Sequence, residues 1–323
     1  MTGALPKFSG VTLLTHWALD PLAVIVAMAF VAFYLRAVRR LSTSGTGWPV
    51  GRSVTFFGGI VLYLWVSCGG AQAYAPALFS VWTAQILGLF LILPIVVVAG
   101  HPVELARRVS PSGALLAVLG SPFGRALTSP FVAPALAPVL FALLFFTPVA
   151  GAAVAHVWLG WLLHLLLFVV GMAIALPLVD IDSGLSSLAV GLSMVTGVAE
   201  LLIDAIPGIA LRLSTKPVGT YFQHREVYPW SPPYLHDQQI GGAILWCVAE
   251  LLDLPFLVLV FRRWIGADAA EAARIDAVLD VPELDDPDDG GSSGAAADGV
   301  TRLGPVDAPW WLDDPKMRDK YSS

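Results

Sequence analysis

The side chains of this chain with the clearest chemical potential are acids inside apolar stretches. Glu200 and Asp204 are four residues apart in a run that is long and apolar enough to cross a bilayer, and a helix places this spacing on one face. A charged side chain at the bilayer centre costs about 2.5–3.5 kcal/mol on insertion scales, so both carboxylates should face the interior of a helix bundle. Glu250 and Asp253, three apart, repeat the arrangement. These acids predict either a buried functional site or a structural clamp between helices.

A second set of side chains predicts a metal site at a single depth. Imidazole, carboxylate and thiolate groups at one level can together bind a transition metal. Each also has an ordinary alternative, because a helical histidine is often only hydrogen-bonded and a cysteine packs as a small hydrophobe. Gln85 is a further polar residue within an apolar run. The predicted ligands are His164, Asp204, Cys68 and Cys247, each roughly five to eight residues from the same surface at 1.5 Å per residue.

The composition indicates what must position these residues. Of the 323 residues 57% are hydrophobic and 13% are charged, and the mean hydropathy is +0.75. These values are typical of a multi-pass membrane protein. We therefore predict an all-α bundle of seven transmembrane helices. The predicted spans are Trp17–Leu35, Thr55–Ala73, Thr83–Gly100, Phe131–Phe146, Val157–Leu178, Ser187–Leu211 and Gly241–Phe261.

Basic residues in the loops predict the orientation and the domain limits. Four arginines follow the first helix and three follow the third, whereas the second–third and fourth–fifth loops have none. The positive-inside rule then places the N-terminus outside and the C-terminus in the cytoplasm of a bacterial plasma membrane. We predict a transmembrane domain over residues 1–265, a short cytoplasmic helix over 266–280 and a disordered acidic tail over 281–323. The connection over residues 214–239 is rich in aromatic residues and prolines, which predicts an ordered cap.

Signatures of soluble enzymes are missing from the sequence. It has no Gly-Lys-Thr phosphate loop, no dinucleotide glycine fingerprint, no Gly-x-Ser-x-Gly elbow and no His-Glu-x-x-His motif. We therefore expect a membrane protein that is neither an enzyme nor a nucleic-acid-binding protein.

A set of short motifs spread over most of the chain resembles one family. The motifs include Trp17-x-x-Asp20-Pro21, Tyr34-x-Arg36, Trp48-Pro49, Gly100-x-Pro102-Val103, His164 followed by Phe168 and Gly171, Asp237-Gln238-x-x-Gly241-Gly242, and Trp246-x-x-x-Glu250-Leu251. In these motifs the chain is similar to the CtaG-like cytochrome c oxidase assembly factors. The resemblance implies partnership with subunits of a haem-copper oxidase and a role in maturing its copper centre from the outer face.

The chain departs from this family at the residues that the resemblance implies as copper ligands. Helix three of the family typically reads His-Met-x-x-His, and this chain has Trp82, Thr83 and Ile86 there. Helix six typically carries a histidine where this chain has Asp204, whereas His164 is retained. The sequence therefore predicts a diverged assembly factor that either handles copper through a changed ligand set or acts as a metal-free scaffold. A proton- or ion-coupled transporter that uses the four buried acids is the alternative.

Overall fold

The computed structural model describes residues 5–128, 132–179, 203, 205–248, 250, 251, 261, 265, 266, 268 and 269. Within these residues the chain is helical, as predicted, with turns and loops between the helices. Four helical stretches of the described residues are long and apolar enough to cross a membrane. A bent helix pair, if it is counted as one span, brings the number to five. The four are Pro21–Thr43, Val50–Tyr74, Phe79–Val98 and Val157–Leu176. The predicted total of seven spans and the predicted orientation of the termini remain predictions.

The first spanning helix begins four residues later than the sequence pattern predicts. A short helix, α1 (Gly10–Thr15), precedes it, and α2 runs over Pro21–Thr43. Asp20 is the N-cap of α2 and Pro21 is its first helical residue, where the missing N–H of proline costs nothing. With 23 residues α2 is about 34 Å long, which exceeds the thickness of a bilayer core.

The second and third spans contain breaks that the sequence pattern does not show. Helix α3 (Val50–Cys68) ends at Gly69 and continues as α4 (Gly70–Tyr74). Helix α5 (Phe79–Leu87) passes through a π-helical turn, Gly88–Ile92, into α6 (Leu93–Val98). Pro94 is the second residue after that turn and has no N–H to donate, so the widened turn accommodates the lost hydrogen bond.

The connection after the third span folds into three short helices. They are α7 (Pro102–Val109), α8 (Ala114–Gly120) and α9 (Pro122–Leu127). Helix α10 (Val132–Phe146) follows, and the chain then bends by 62° into α11 (Val149–Ala155). The bend falls at Thr147–Pro148, after the last residue of α10, and Pro138 lies within the helix.

The fifth predicted span, Val157–Leu178, is confirmed as α12 (Val157–Val179). Beyond it, residues 205–213 (α13), Tyr221–His224 (α14) and residues 234–248 (α15) are helical. Helix α15 starts seven residues before the predicted seventh span, so it takes up part of the predicted loop over 214–239. Most of the predicted sixth span and the second half of the seventh lie outside the described residues. So does the predicted tail over 281–323, and so does most of the predicted helix over 266–280.

The described spans have two chemically different ends. Helices α2 and α3 are antiparallel, so Asp20 and Cys68 meet at one end, which we call the site end. Arg52 and Glu104 meet at the other, which we call the basic end. Two apolar clusters fill the space between the helices, one around Phe56, Tyr63 and Phe168 and one around Trp82, Phe141 and Phe145.

Candidate functional site

Asp20 and His164 form a buried polar pair at the site end. Asp20 Oδ1 accepts a hydrogen bond from the backbone N–H of Ala23 at 2.9 Å, which caps α2. Its other carboxylate oxygen, Oδ2, lies 3.1 Å from His164 Nδ1 on α12. Asp20 is 0% exposed and His164 is 3% exposed, so the bond forms away from water. A carboxylate that accepts from Nδ1–H fixes the imidazole with its Nε2 lone pair available to a ligand.

Cys68 contacts the same residue from the end of α3. Its Sγ donates to the backbone carbonyl of Asp20 at 3.7 Å, and the N–H of Ala18 donates to the Cys68 carbonyl at 2.9 Å. Tyr63, a little more than one turn earlier on α3, stacks on Phe168 with ring centroids 4.2 Å apart. Phe168 is one turn from His164 on α12, so this aromatic pair lies near the site. Cys68 and His164 therefore both contact Asp20.

Asp20 is the residue of this site that the sequence analysis left out of its predicted ligands. It appeared only in the Trp17-x-x-Asp20-Pro21 motif. The signal that could have identified it is an acid placed directly before the proline that opens an apolar span. Such an acid can cap the helix and still offer a second oxygen to a neighbouring helix.

The other predicted site residues lie apart from this cluster or outside the described residues. Cys247, on α15, is exposed. Glu250 accepts a hydrogen bond at 3.0 Å from Nε1 of Trp246, four residues earlier in the chain. Gln85 is buried as predicted and donates to the Val66 carbonyl and to Gln72 Oε1. Glu200, Asp204 and Asp253 fall outside the described residues. Within the described part of the chain no three His, Cys, Asp or Glu side chains are grouped to hold a metal ion.

Trp82, Thr83 and Ile86, at which the sequence analysis expects a departure from the family pattern, lie in the buried core. Trp82 packs edge-on against Phe145 and lies close to Tyr221, with ring centroids 5.6 Å and 5.5 Å away. Thr83 and Ile86 are both fully buried. This segment therefore contributes packing to the core.

The Asp237-Gln238 motif joins three segments of the chain at the site end. Asp237 accepts from the N–H groups of Phe79 and Ser80 at 2.7 and 3.1 Å and from Ser80 Oγ at 2.7 Å, which caps α5. Arg225 Nη1 lies 3.5 Å from Asp237 Oδ2, and both side chains are fully buried. Gln238 bonds the backbone at Leu211, Lys216 and Val218. The predicted ordered cap over 214–239 is thus held by its own motif.

A buried tyrosine completes this cap. The Tyr221 hydroxyl donates to the Ala75 carbonyl at 2.5 Å. Burial, and secondarily the negative charge of Asp237, raises the pKa of Tyr221 well above its usual value. The hydroxyl therefore stays protonated and keeps its hydrogen bond at any physiological pH.

The glycine pair of the same motif lets α15 approach its neighbours. A Cβ on Gly241 would lie 2.6 Å from the Phe79 ring, and one on Gly242 would lie 2.6 Å from the Arg212 backbone nitrogen. Small residues of this kind are typical of close helix contacts in membranes.

Tyr34, Trp48 and Gly100, each from a different sequence motif, contact one another at the basic end. Arg52 Nη1 lies 2.6 Å from Glu104 Oε2, and Arg108 bonds the other oxygen. Both guanidinium groups lie over the Trp48 ring, at 5.1 and 5.4 Å from its centroid. Trp48 Nε1 donates to the Tyr34 hydroxyl, which donates to the Gly100 carbonyl. Partial burial favours the protonated form of Glu104, but the two arginines outweigh it and lower its pKa.

These features define a polytopic, helical membrane protein with a buried polar site at one end and a basic cluster at the other. Residues 32–267 match the family model described as cytochrome c oxidase caa3 assembly factor. The chain belongs to this family, as its motifs predicted.

Similar chains occur in mycobacteria. Uncharacterised proteins of Mycobacterium bovis and Mycobacterium tuberculosis are each 29% identical to this chain over 283 residues, and one of Mycobacterium leprae is 29% identical over 289 residues. Each match covers 84% of this chain and 43% of the relative. The chain therefore spans less than half the length of these relatives. No solved structure matches the chain.

Proposed function

We propose that the chain is a membrane assembly factor for a haem-copper cytochrome c oxidase and that it passes copper to an immature oxidase subunit. The observation that carries the proposal is the buried His164 held by Asp20, with the Cys68 thiol on the same residue. Copper is cargo in this role, so a site that binds it and then releases it is sufficient.

The donors at the site end suit Cu(I). Thiolate and imidazole are ligands that copper accepts, and the Asp20 carboxylate orients the imidazole as partners of metal-bound histidines do. Of the described residues, none bonds His164 through Nε2, which is the nitrogen that would face the metal. The predicted third ligand is Asp204. Cys247, the fourth predicted ligand, is exposed and is the natural control.

Copper binding by the purified protein tests the metal part of this proposal. The full chain is loaded with Cu(I) under reducing conditions, and bound copper per chain is measured by mass spectrometry. We expect near-stoichiometric copper in the wild type and in Cys247→Ser, and a loss in His164→Ala and Cys68→Ser. Asp204→Ala should lose copper if Asp204 is the third ligand. If the purified wild type bound no copper, copper transfer would be refuted and the alternative of a metal-free scaffold would remain.

Complementation tests the assembly part separately. A strain that lacks the protein should lose oxidase haem absorbance and oxygen consumption, and the wild-type gene should restore both. His164→Ala should restore the haem signal of the oxidase without its copper-dependent activity. Full oxidase activity in the deletion strain would refute the assembly role. Three of the four acids that a transporter would use, Glu200, Asp204 and Asp253, lie outside the described residues.

A further inference from the structure

Helix α1 and the residues that join it to α2 carry large apolar side chains that are mostly exposed. Val11, Leu14 and Trp17 are 69%, 63% and 60% exposed. Val11 and Leu14 are three residues apart and share one side of α1, and Trp17 follows at the same interval just beyond its end. Trp17 Nε1 donates to the Leu14 carbonyl at 3.1 Å, so its indole N–H is already satisfied. We call these three side chains the α1 face, and it is an apolar surface on the outside of the protein.

Helix α1 lies beside the last residues of a membrane span. A Cβ on Gly70 would lie 2.4 Å from Leu13 Cα, so the backbone of α1 touches the start of α4. Phe8, just before α1, packs edge-on against Tyr74, the last residue of α4, with ring centroids 5.3 Å apart. Both contacts fall within the span Val50–Tyr74. With 25 residues this span exceeds the roughly 20 that cross a bilayer, so its final turn, and α1 beside it, lie at the bilayer surface.

The exposed apolar residues continue along the chain from α1 into the first span. Leu19 is 69% exposed, and on α2 Ile25 and Met28 are 58% and 59% exposed. Exposed apolar side chains within a span contact lipid, so the α1 face extends a surface that already meets the bilayer. Trp17 is of the residue type that is enriched at membrane interfaces, and the exposed Lys7 before α1 suits anionic headgroups. The bilayer is therefore the occupant that this surface fits.

We propose that α1 lies in the plane of the bilayer interface at the site end and inserts the α1 face among the lipid headgroups and upper acyl chains. Helices in this plane bury one apolar face at the boundary between headgroups and acyl chains. The bilayer then holds the segment between α1 and α2 in place. Within that segment the N–H of Ala18 donates to the Cys68 carbonyl at 2.9 Å, so lipid contact also stabilises the surroundings of Cys68. This lipid contact does not depend on copper binding.

Spin labels on single introduced cysteines measure the surroundings of the α1 face. The full chain carries Cys247→Ser, which removes the exposed cysteine, and is reconstituted in vesicles of phosphatidylcholine and phosphatidylglycerol. A label at Leu14→Cys should collide more often with oxygen, which partitions into lipid, than with a water-soluble nickel chelate, as a label at Ile25→Cys in the first span should. A label at Thr15→Cys, an exposed polar position on another side of α1, should favour the nickel chelate.

Two results would overturn the proposal. A Leu14→Cys label that favours the nickel chelate as strongly as the Thr15→Cys label would place the α1 face in water. Dipolar broadening between Leu14→Cys labels would place a second copy of the chain on this face instead of lipid.

A second experiment tests whether lipid contact holds the segment bonded to Cys68. Val11→Ser with Leu14→Ser removes two apolar side chains of the α1 face, and the rate at which N-ethylmaleimide modifies the buried Cys68 is measured in vesicles, again with Cys247→Ser. We expect the rate to rise several-fold. Val54→Ser with Val61→Ser, which removes two side chains of α3 that are 64% and 66% exposed, is the matched control and should leave the rate unchanged. An unchanged rate in the α1 variant, or an equal rise in the control, would refute the anchoring.

Discussion

The pair formed by Asp20 and His164 gives a sharp energetic prediction. Asp20 has two roles, because one oxygen caps α2 and the other holds the imidazole. Asparagine caps helices about as well as aspartate, so Asp20→Asn should keep the cap and remove only the charged hydrogen bond. Loss of such a bond costs about 1.5–3 kcal/mol, whereas Asp20→Ala should cost about 1 kcal/mol more because the cap is lost too.

The assay is thermal unfolding of the purified protein in one detergent, with the double-variant cycle completed. For a chain of this size 1 kcal/mol shifts the unfolding temperature by about 2–4 °C, so Asp20→Asn should lower it by about 3–12 °C. Asp20→Asn combined with His164→Ala should cost less than the sum of the single changes, with a coupling of about 1–3 kcal/mol. His156→Ala, an exposed histidine in the same region, should have little effect. Additive costs in the cycle would refute the coupling that the 3.1 Å distance implies.

Three other features give direct tests. Asp237→Ala leaves the buried Arg225 without its carboxylate and uncaps α5, so it should lower the free energy of unfolding by about 3–5 kcal/mol. Adding Arg225→Met to Asp237→Ala should restore part of that free energy. An equally unstable double variant would contradict an ion pair. Gly171→Leu should reduce the yield of folded protein, because a Cβ there would lie 2.1 Å from the Phe90 carbonyl oxygen, whereas Gly58→Leu should be tolerated. The pKa of Glu104 is lowered in the folded state, so its carboxylate stabilises the protein at pH values above the ordinary glutamate pKa of about 4.3, and this stabilisation is lost as the pH falls further. The unfolding temperatures of the wild type and Glu104→Gln should therefore converge at low pH. A difference in unfolding temperature that does not change with pH would contradict this.

The sequence was a good guide wherever the signal is local. Long apolar runs predicted the spans that the described residues contain, since a chain in lipid must satisfy its backbone within each helix. The breaks at Gly69 and at the π-helical turn before Pro94 were not predicted. A hydropathy pattern records apolar length and is insensitive to a local change in helical hydrogen bonding.

Only some of the residues at the site were predicted from the sequence. His164 and Cys68 were predicted at a common depth, because depth follows from counting residues along a span. Their shared partner, Asp20, was missed, and Cys247 was included although it is exposed. Counting along a helix gives the level of a side chain but leaves open which neighbouring helix it faces.

The sequence by itself determined that this protein is helical, membrane-spanning, basic at one end of its early spans and a member of an oxidase assembly family. The tertiary structure alone decided which polar residues meet. Asp20 reaches His164 across 144 residues, and Asp237 reaches Ser80 across 157. Such pairs depend on which helix faces pack together, and packing is set by the fit of side chains such as Phe168 on Tyr63 and by glycines such as Gly171 and Gly242. That fit is a property of the assembled helices, so no single stretch of sequence contains it.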